Sequence, residues 1–189
     1  MKEKQSKKSD SIVQNTQNTM EWVGEVFRGF KEDVRSAFVS EGKMKATELL
    51  KQDHDKVKGL IEQLKSARKN KRALIRQIEE EIKIHSRCEE MIFYPEMKKV
   101  NSELIAESLE EHHQVDMILA ELKKMTGKEG EAFDAKVIVF EETLQHHIDE
   151  EEGEMFPEAE KKLKDQLESL GEEIVYFKGE LKAKRKKAA

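Results

Sequence analysis

HSRCEEMIFYP at residues 85–95 and HIDEEEGEMFP at residues 147–157 decide how the chain is read. Each has a histidine, a Glu-Glu pair starting four residues later, and a proline ten residues after the histidine that directly follows an aromatic. On a helix, a glutamate four residues beyond a histidine lies on the same face, with the two β-carbons about 5–6 Å apart. His85 with Glu89, and His147 with Glu151, therefore form two His–Glu pairs, each on one side of its helix.

That side is the apolar one in both helices. The stripes run Ile78, Ile82, His85, Glu89, Ile92 and Val137, Phe140, Leu144, His147, Glu151, at the three- and four-residue spacing of amphipathic helices. A second pair of stretches repeats the arrangement upstream. Laying LKQDHDKVKGLIEQLK (50–65) over SLEEHHQVDMILAELKK (108–124), with Leu50 opposite Ser108, sets His54 on His112, Val57 on Val115, Ile61 on Leu119 and Leu64 on Leu122. The chain is thus a duplicated pair of helices, with four histidines on core-facing stripes.

Burying an ionised carboxylate costs several kcal/mol unless something compensates it, and a metal ion compensates while also using neutral imidazole. One histidine on an apolar stripe is ordinarily a satisfied core residue, and a Glu-Glu run is ordinarily a solvated face. Recurrence of both at matched positions in the two halves reverses those readings. The pattern predicts a two-metal site of His54, His85, Glu89, His112, His147 and Glu151. Imidazole with carboxylate favours iron or manganese, and zinc is a substitute that takes the same donors.

Periodicity places helices over about 45–67, 71–98, 102–125 and 131–163, separated by SARKNK, by Asn101 as an N-cap, and by TGKEG. Those lengths suit an all-α four-helix bundle. An N-terminal amphipathic helix over about 12–39 carries Met20, Val23, Phe27, Phe30, Val34 and Phe38 on one stripe. With Trp22, that stripe reads as cover for the bundle or a pairing face for the C-terminal helix, and less well as a dimer seam or membrane-surface helix. A C-terminal helix over about 165–185 has Leu167, Leu170, Ile174, Phe177 and Leu181 at heptad spacing, with Gly171 and Gly179 weakening it. It is expected to pack on the bundle or on the N-terminal helix. The expected division is 1–44 as extension, 45–164 as bundle and 165–189 as C-terminal helix with a basic tail.

Charged residues at 40%, only two prolines and nine glycines favour this helical class over sheet-rich or low-complexity ones. The single cysteine, Cys88, excludes an intramolecular disulfide framework and a Cys-rich metal site, and points to a reducing, cytoplasmic setting. No run of about 18 apolar residues reads as a membrane span, and the N-terminus does not read as a signal peptide. The net charge of −5 argues against nucleic acid as a partner. The basic KAKRKK at 182–187 reads as a solvated helix end.

With His54, HSRCE at 85–89, His112 and HIDEE at 147–151 in order, about residues 46–162 resemble the hemerythrin-like HHE cation-binding family. The resemblance implies an up-down-up-down bundle holding two non-haem iron ions, bridged by the two glutamates and a solvent-derived oxygen, which meet dioxygen, peroxide or nitric oxide. Oxygen-carrying members have a fifth histidine one turn beyond the position of His112. This chain has Asp116 there, a candidate ligand that puts simple oxygen binding and storage in doubt. Redox turnover, including peroxide decomposition of a catalase-like kind, or sensing is expected instead. An iron-handling or stress-signalling metal-binding module acting through partner contacts, or simple oxygen binding and storage, is the alternative, and the terminal helices are the expected route to a homo-oligomer.

Several neighbours are secondary candidates. His113 and His146 flank the chosen histidines as ligands or outer partners, and Glu90 and Glu152 are placed to hold ligand imidazoles. Cys88 reads as packing or as a thiol open to peroxide. Tyr94 reads as core packing or a hydrogen-bond donor, its counterpart Phe156 lacking the hydroxyl.

Overall fold

A computed structural model describes residues 44–128 and 130–188, with side chains to residue 184. The expected helix at 12–39 and its aromatic stripe lie outside the described residues. Helix α1 is Ala46–Ser66, its first turn closed by the Lys45 N–H donating to Glu48 Oε2 at 3.1 Å. Asn70, in the left-handed region at φ 65°, leads into α2, Lys71–Cys88; asparagine tolerates that conformation better than most residues. Helix α4, Ser102–Met125, is capped as expected, the Leu104 N–H donating to Asn101 Oδ1 at 3.2 Å. Helix α5 is Glu131–Glu150.

Both HxxxE helices contain a feature that periodicity does not show. A widened π turn, Glu89–Phe93, follows α2 and runs into a short α3, Tyr94–Met97. Likewise Glu151–Met155 follows α5 and runs into α6, Phe156–Lys162. The Tyr94 and Phe156 N–H groups donate to the carbonyls of Glu89 and Glu151, five residues back. Pro95 and Pro157 come next, and a proline inside an ordinary α turn would collide with the carbonyl four residues earlier. The wider turn accommodates the ring, and the extra residue rotates the following stripe so that Phe93, Tyr94, Met155 and Phe156 also face inward.

Helix α1 packs on α2 and α5, and α4 packs on α5 and α2. Connections this short make neighbouring helices antiparallel. The core is in two parts. One, at the α1–α2 and α4–α5 turns, holds Leu64, Ile75, Ile78, Leu122, Phe133 and Phe140. The other holds Leu50, Cys88, Phe93, Tyr94, Met97 and Phe156. Between them, on all four long helices, lies a buried layer of histidines and glutamates.

The C-terminal helix α7, Leu167–Ala188, packs on the bundle, adding Leu167, Leu170, Ile174 and Phe177 to the second apolar part. Residues 44–189 form one compact unit. Gly171 does more than weaken α7: a β-carbon there would sit 2.1 Å from the Met44 carbonyl oxygen, so only glycine permits this approach. No described helix is long and apolar enough to cross a membrane.

Candidate metal centre

Each long helix contributes to the buried layer. His54 comes from α1, His85 from α2 with Glu89 at the start of its π turn, His112 from α4, and His147 from α5 with Glu151 at the start of the other π turn. Both glutamates are fully buried, and the four histidines are no more than 8% exposed. Their Nε2 atoms and carboxylate oxygens converge. Glu89 Oε1 lies 3.0 Å from His85 Nε2, and Glu89 Oε2 lies 3.2 Å from His112 Nε2. Glu151 Oε2 lies 3.2 Å from His54 Nε2 and 3.5 Å from His147 Nε2. His54 and His85 bring their Nε2 atoms to 3.1 Å.

The opposite ring nitrogens fix the tautomers. Each Nδ1 meets a carboxylate: His54 with Glu152 at 2.9 Å, His85 with Asp53 at 3.3 Å, His112 with Glu90 at 3.0 Å and His147 with Glu111 at 2.8 Å. A carboxylate accepts from N–H, so neutral rings carry their proton on Nδ1 and turn the Nε2 lone pair inward. Lone pairs of nitrogen and oxygen then face one another at contact distance. Glu89 Oε1, Glu89 Oε2, Glu151 Oε2 and His147 Nε2 are buried with no hydrogen-bond partner. Orphaned acceptors clustered this way fit a cation, and this donor chemistry fits a transition metal.

The donors sort into two sets whose ligand atoms lie within 4.8 Å of one another: His54, His85, Glu89 and Glu151 in one, and Glu89, His112 and His147 in the other. Glu89 belongs to both. Without a metal, protons do part of the cation's work. Burial opposes charging His85, but Glu89, Asp53 and Glu151 raise it to about 10. Burial likewise opposes His112, which Glu89 and Glu90 raise to about 9. Burial also works against ionised Glu89, yet His85 and His112 hold its carboxyl well below the usual range.

A cavity of about 10 Å³, room for about one water, opens on the histidine side of the layer. All four histidines line it, with Asp53, Ser86 and the apolar Val57, Ile82, Val115, Leu144 and Ile148. Tyr94 stands on the carboxylate side. Its hydroxyl donates to Glu151 Oε1 at 2.8 Å and lies 3.3 Å from His112 Nε2, and its ring stacks on His112 at 5.6 Å between centroids. Burial, with Glu89 and Glu151 nearby, pushes the phenol well above its ordinary value and keeps it a donor.

The structure thus brings together all six predicted core residues, with Glu90 and Glu152 at the outer positions expected of them. Asp116 does not join either set; it is exposed on α4 while Val115 and Leu119 take the inward positions. His113 is exposed. His146 is two-thirds exposed and faces Glu111 and Glu150 at 3.5 and 3.4 Å at the surface. Cys88 is fully buried in apolar packing, and burial pushes its thiol up to about 12, which removes it from the reactive range.

Sequence reasoning missed Asp53 and Glu111. Each directly precedes a ligand-type histidine, an Asp-His and a Glu-His at matched positions, and each holds the other histidine of its own half. It also missed Lys178 of α7, which pairs with Asp53 and so reaches His85 from outside the duplicated helices. The heptad stripe of α7 gave no hint of this, because Lys178 lies beside it.

Comparison with protein families matches residues 45–159 to the hemerythrin HHE cation binding domain. No curated protein matches the chain, and no solved structure does. Helix α7, with Lys178, lies beyond the matched segment.

Proposed function

The chain belongs to the hemerythrin HHE cation-binding family, and from that premise we propose that it is a non-haem di-iron protein that reacts with or senses dioxygen, peroxide or nitric oxide. The observation that carries this reading is Glu89, one buried carboxylate shared by two donor sets that otherwise use different histidines. An iron pair held there would supply Lewis acidity and exchangeable electrons.

The protein's own groups do the rest. Asp53, Glu90, Glu111 and Glu152 orient the imidazoles and raise their basicity as donors. Val57, Ile82, Val115, Leu144 and Ile148 make most of the cavity wall beyond the histidines apolar, with Asp53 and Ser86 its polar members, which favours a small, weakly hydrated ligand over a charged metabolite. Asp116, exposed, leaves the fifth-histidine position of oxygen carriers unfilled by any inward donor, which supports turnover or sensing over storage. The test is stopped-flow absorption of iron-loaded protein mixed with dioxygen, hydrogen peroxide or nitric oxide. Spectral change saturating at one ligand per iron pair is expected. No response to any of the three refutes the reading.

A second reading, a module that signals metal status through partner contacts, is favoured by the Lys178–Asp53–His85 contact chain joining the centre to α7. Hydrogen exchange of α7 that is the same with and without metal would remove it.

A further inference from the structure

Among the places where the duplication breaks beside the centre, one is polar and reaches a buried glutamate. Phe156 in one half stacks on His54 at 5.8 Å, as Tyr94 in the other stacks on His112. The helix position facing these rings differs too. Leu50, opposite Ser108 in the repeat, shares an apolar cluster with Phe156. Ser108, 1% exposed, donates its hydroxyl to the Leu104 carbonyl at 2.9 Å and sets that oxygen, with its remaining lone pair, near the Tyr94 phenol. A Leu50–Phe156 pair spanning the two halves therefore corresponds to a Ser108–Tyr94 pair spanning them the other way, and the polar pair lies where the phenol reaches Glu151.

Its consequence falls on Glu151. The Tyr94 bond occupies Oε1, leaving only Oε2 among the orphaned acceptors, whereas both oxygens of Glu89 are orphaned. The two glutamates are equivalent in sequence and unequal in place. We propose that Tyr94 is a positioning residue that restrains Glu151 to one metal-facing oxygen, making the position at His112 and His147 the more open of the two and the one that receives a small exogenous ligand. The inference rests on the di-iron reading. It agrees with the donor sets, four residues around His54 and His85 against three around His112 and His147.

The experiment is Mössbauer spectroscopy of the full chain loaded anaerobically with ⁵⁷Fe(II), after its iron content has been counted. The wild type is expected to give two ferrous doublets of equal area. Tyr94→Phe frees Glu151 Oε1, and the two doublets are expected to merge. Nitric oxide added to the wild type is expected to shift one doublet, the one that Tyr94→Phe moves. A Leu50→Ser/Phe156→Tyr variant installs the same polar pair at the repeat-related positions, which restrains Glu89 equally and is also expected to give one doublet. A role limited to packing would leave the doublets distinct in Tyr94→Phe. One doublet in the wild type, or two unchanged doublets in Tyr94→Phe at full loading, overturns the inference and leaves the di-iron reading standing. Fewer than two irons per wild-type chain overturns both.

Discussion

Stripping the metal should cost this protein much of its stability, and the structure sets the scale. Four metal-facing atoms, Glu89 Oε1, Glu89 Oε2, Glu151 Oε2 and His147 Nε2, are buried without a hydrogen-bond partner. Each such group costs about 1–3 kcal/mol, or about 4–12 kcal/mol for the set if nothing relaxes. Protons on His85 and His112, which face the two Glu89 oxygens at 3.0 and 3.2 Å, relieve that half. Glu151 Oε2 and His147 Nε2 remain, at about 2–6 kcal/mol together by the same measure. For a domain of this size each kcal/mol moves Tm by about 2–4 °C, so the metal-free protein should melt roughly 4–24 °C below the loaded one. Differential scanning calorimetry on loaded, chelator-stripped and reloaded protein measures this. A difference under about 2 °C, or one that reloading does not restore, would refute the claim that these acceptors await a cation.

Three further expectations follow from particular contacts. His85 and His112, at about 10 and about 9 in the metal-free state, carry protons at pH 7 that a metal must displace. Calorimetric titrations in buffers of different ionisation heat should therefore show about two protons released per fully loaded chain, with affinity rising toward pH 9–10. Because these are raised pKa values, the stability they lend the metal-free protein is full below the ordinary histidine value of 6.5, declines above it, and is gone past about 10; pH-dependent urea unfolding reads this. Glu111→Gln, which leaves His147 Nδ1 a neutral partner in place of a carboxylate at 2.8 Å, should weaken metal binding about 10–100-fold by competition with a chelating dye. Gly171→Ala, whose β-carbon meets the Met44 carbonyl oxygen at 2.1 Å, should cost about 1–3 kcal/mol in denaturant unfolding and loosen α7 in hydrogen exchange, with metal content retained.

The four helices and six inward ligand-type residues were legible because each obeys a local rule. A helix repeats every 3.6 residues, and His85–Glu89 and His147–Glu151 are one turn apart on faces otherwise filled by Ile, Val, Leu and Phe. The partners Asp53 and Glu111 were not, because each serves a histidine on a different helix, 32 and 36 residues away. Lys178 was hidden for the same reason, its target Asp53 lying at the other end of the chain. The π turns leave the apolar count almost unchanged, and only a proline after an aromatic, inside a helix, signals them. Asp116 is a candidate only through the fifth-histidine position of the resembling family, and the inward stripe of α4 passes beside it through Val115 and Leu119.

On the proposed reading, one chain holds two metal ions between His54, His85, Glu89, His112, His147 and Glu151, the residues of the two donor sets. Elemental analysis of protein purified without added metal, by plasma mass spectrometry against a quantitative amino-acid count, tests it most directly. Two irons per chain are expected, falling to one or fewer in Glu89→Ala, since that residue alone belongs to both donor sets. Metal-free protein from iron-replete cells, or a stoichiometry that Glu89→Ala leaves unchanged, would contradict the account.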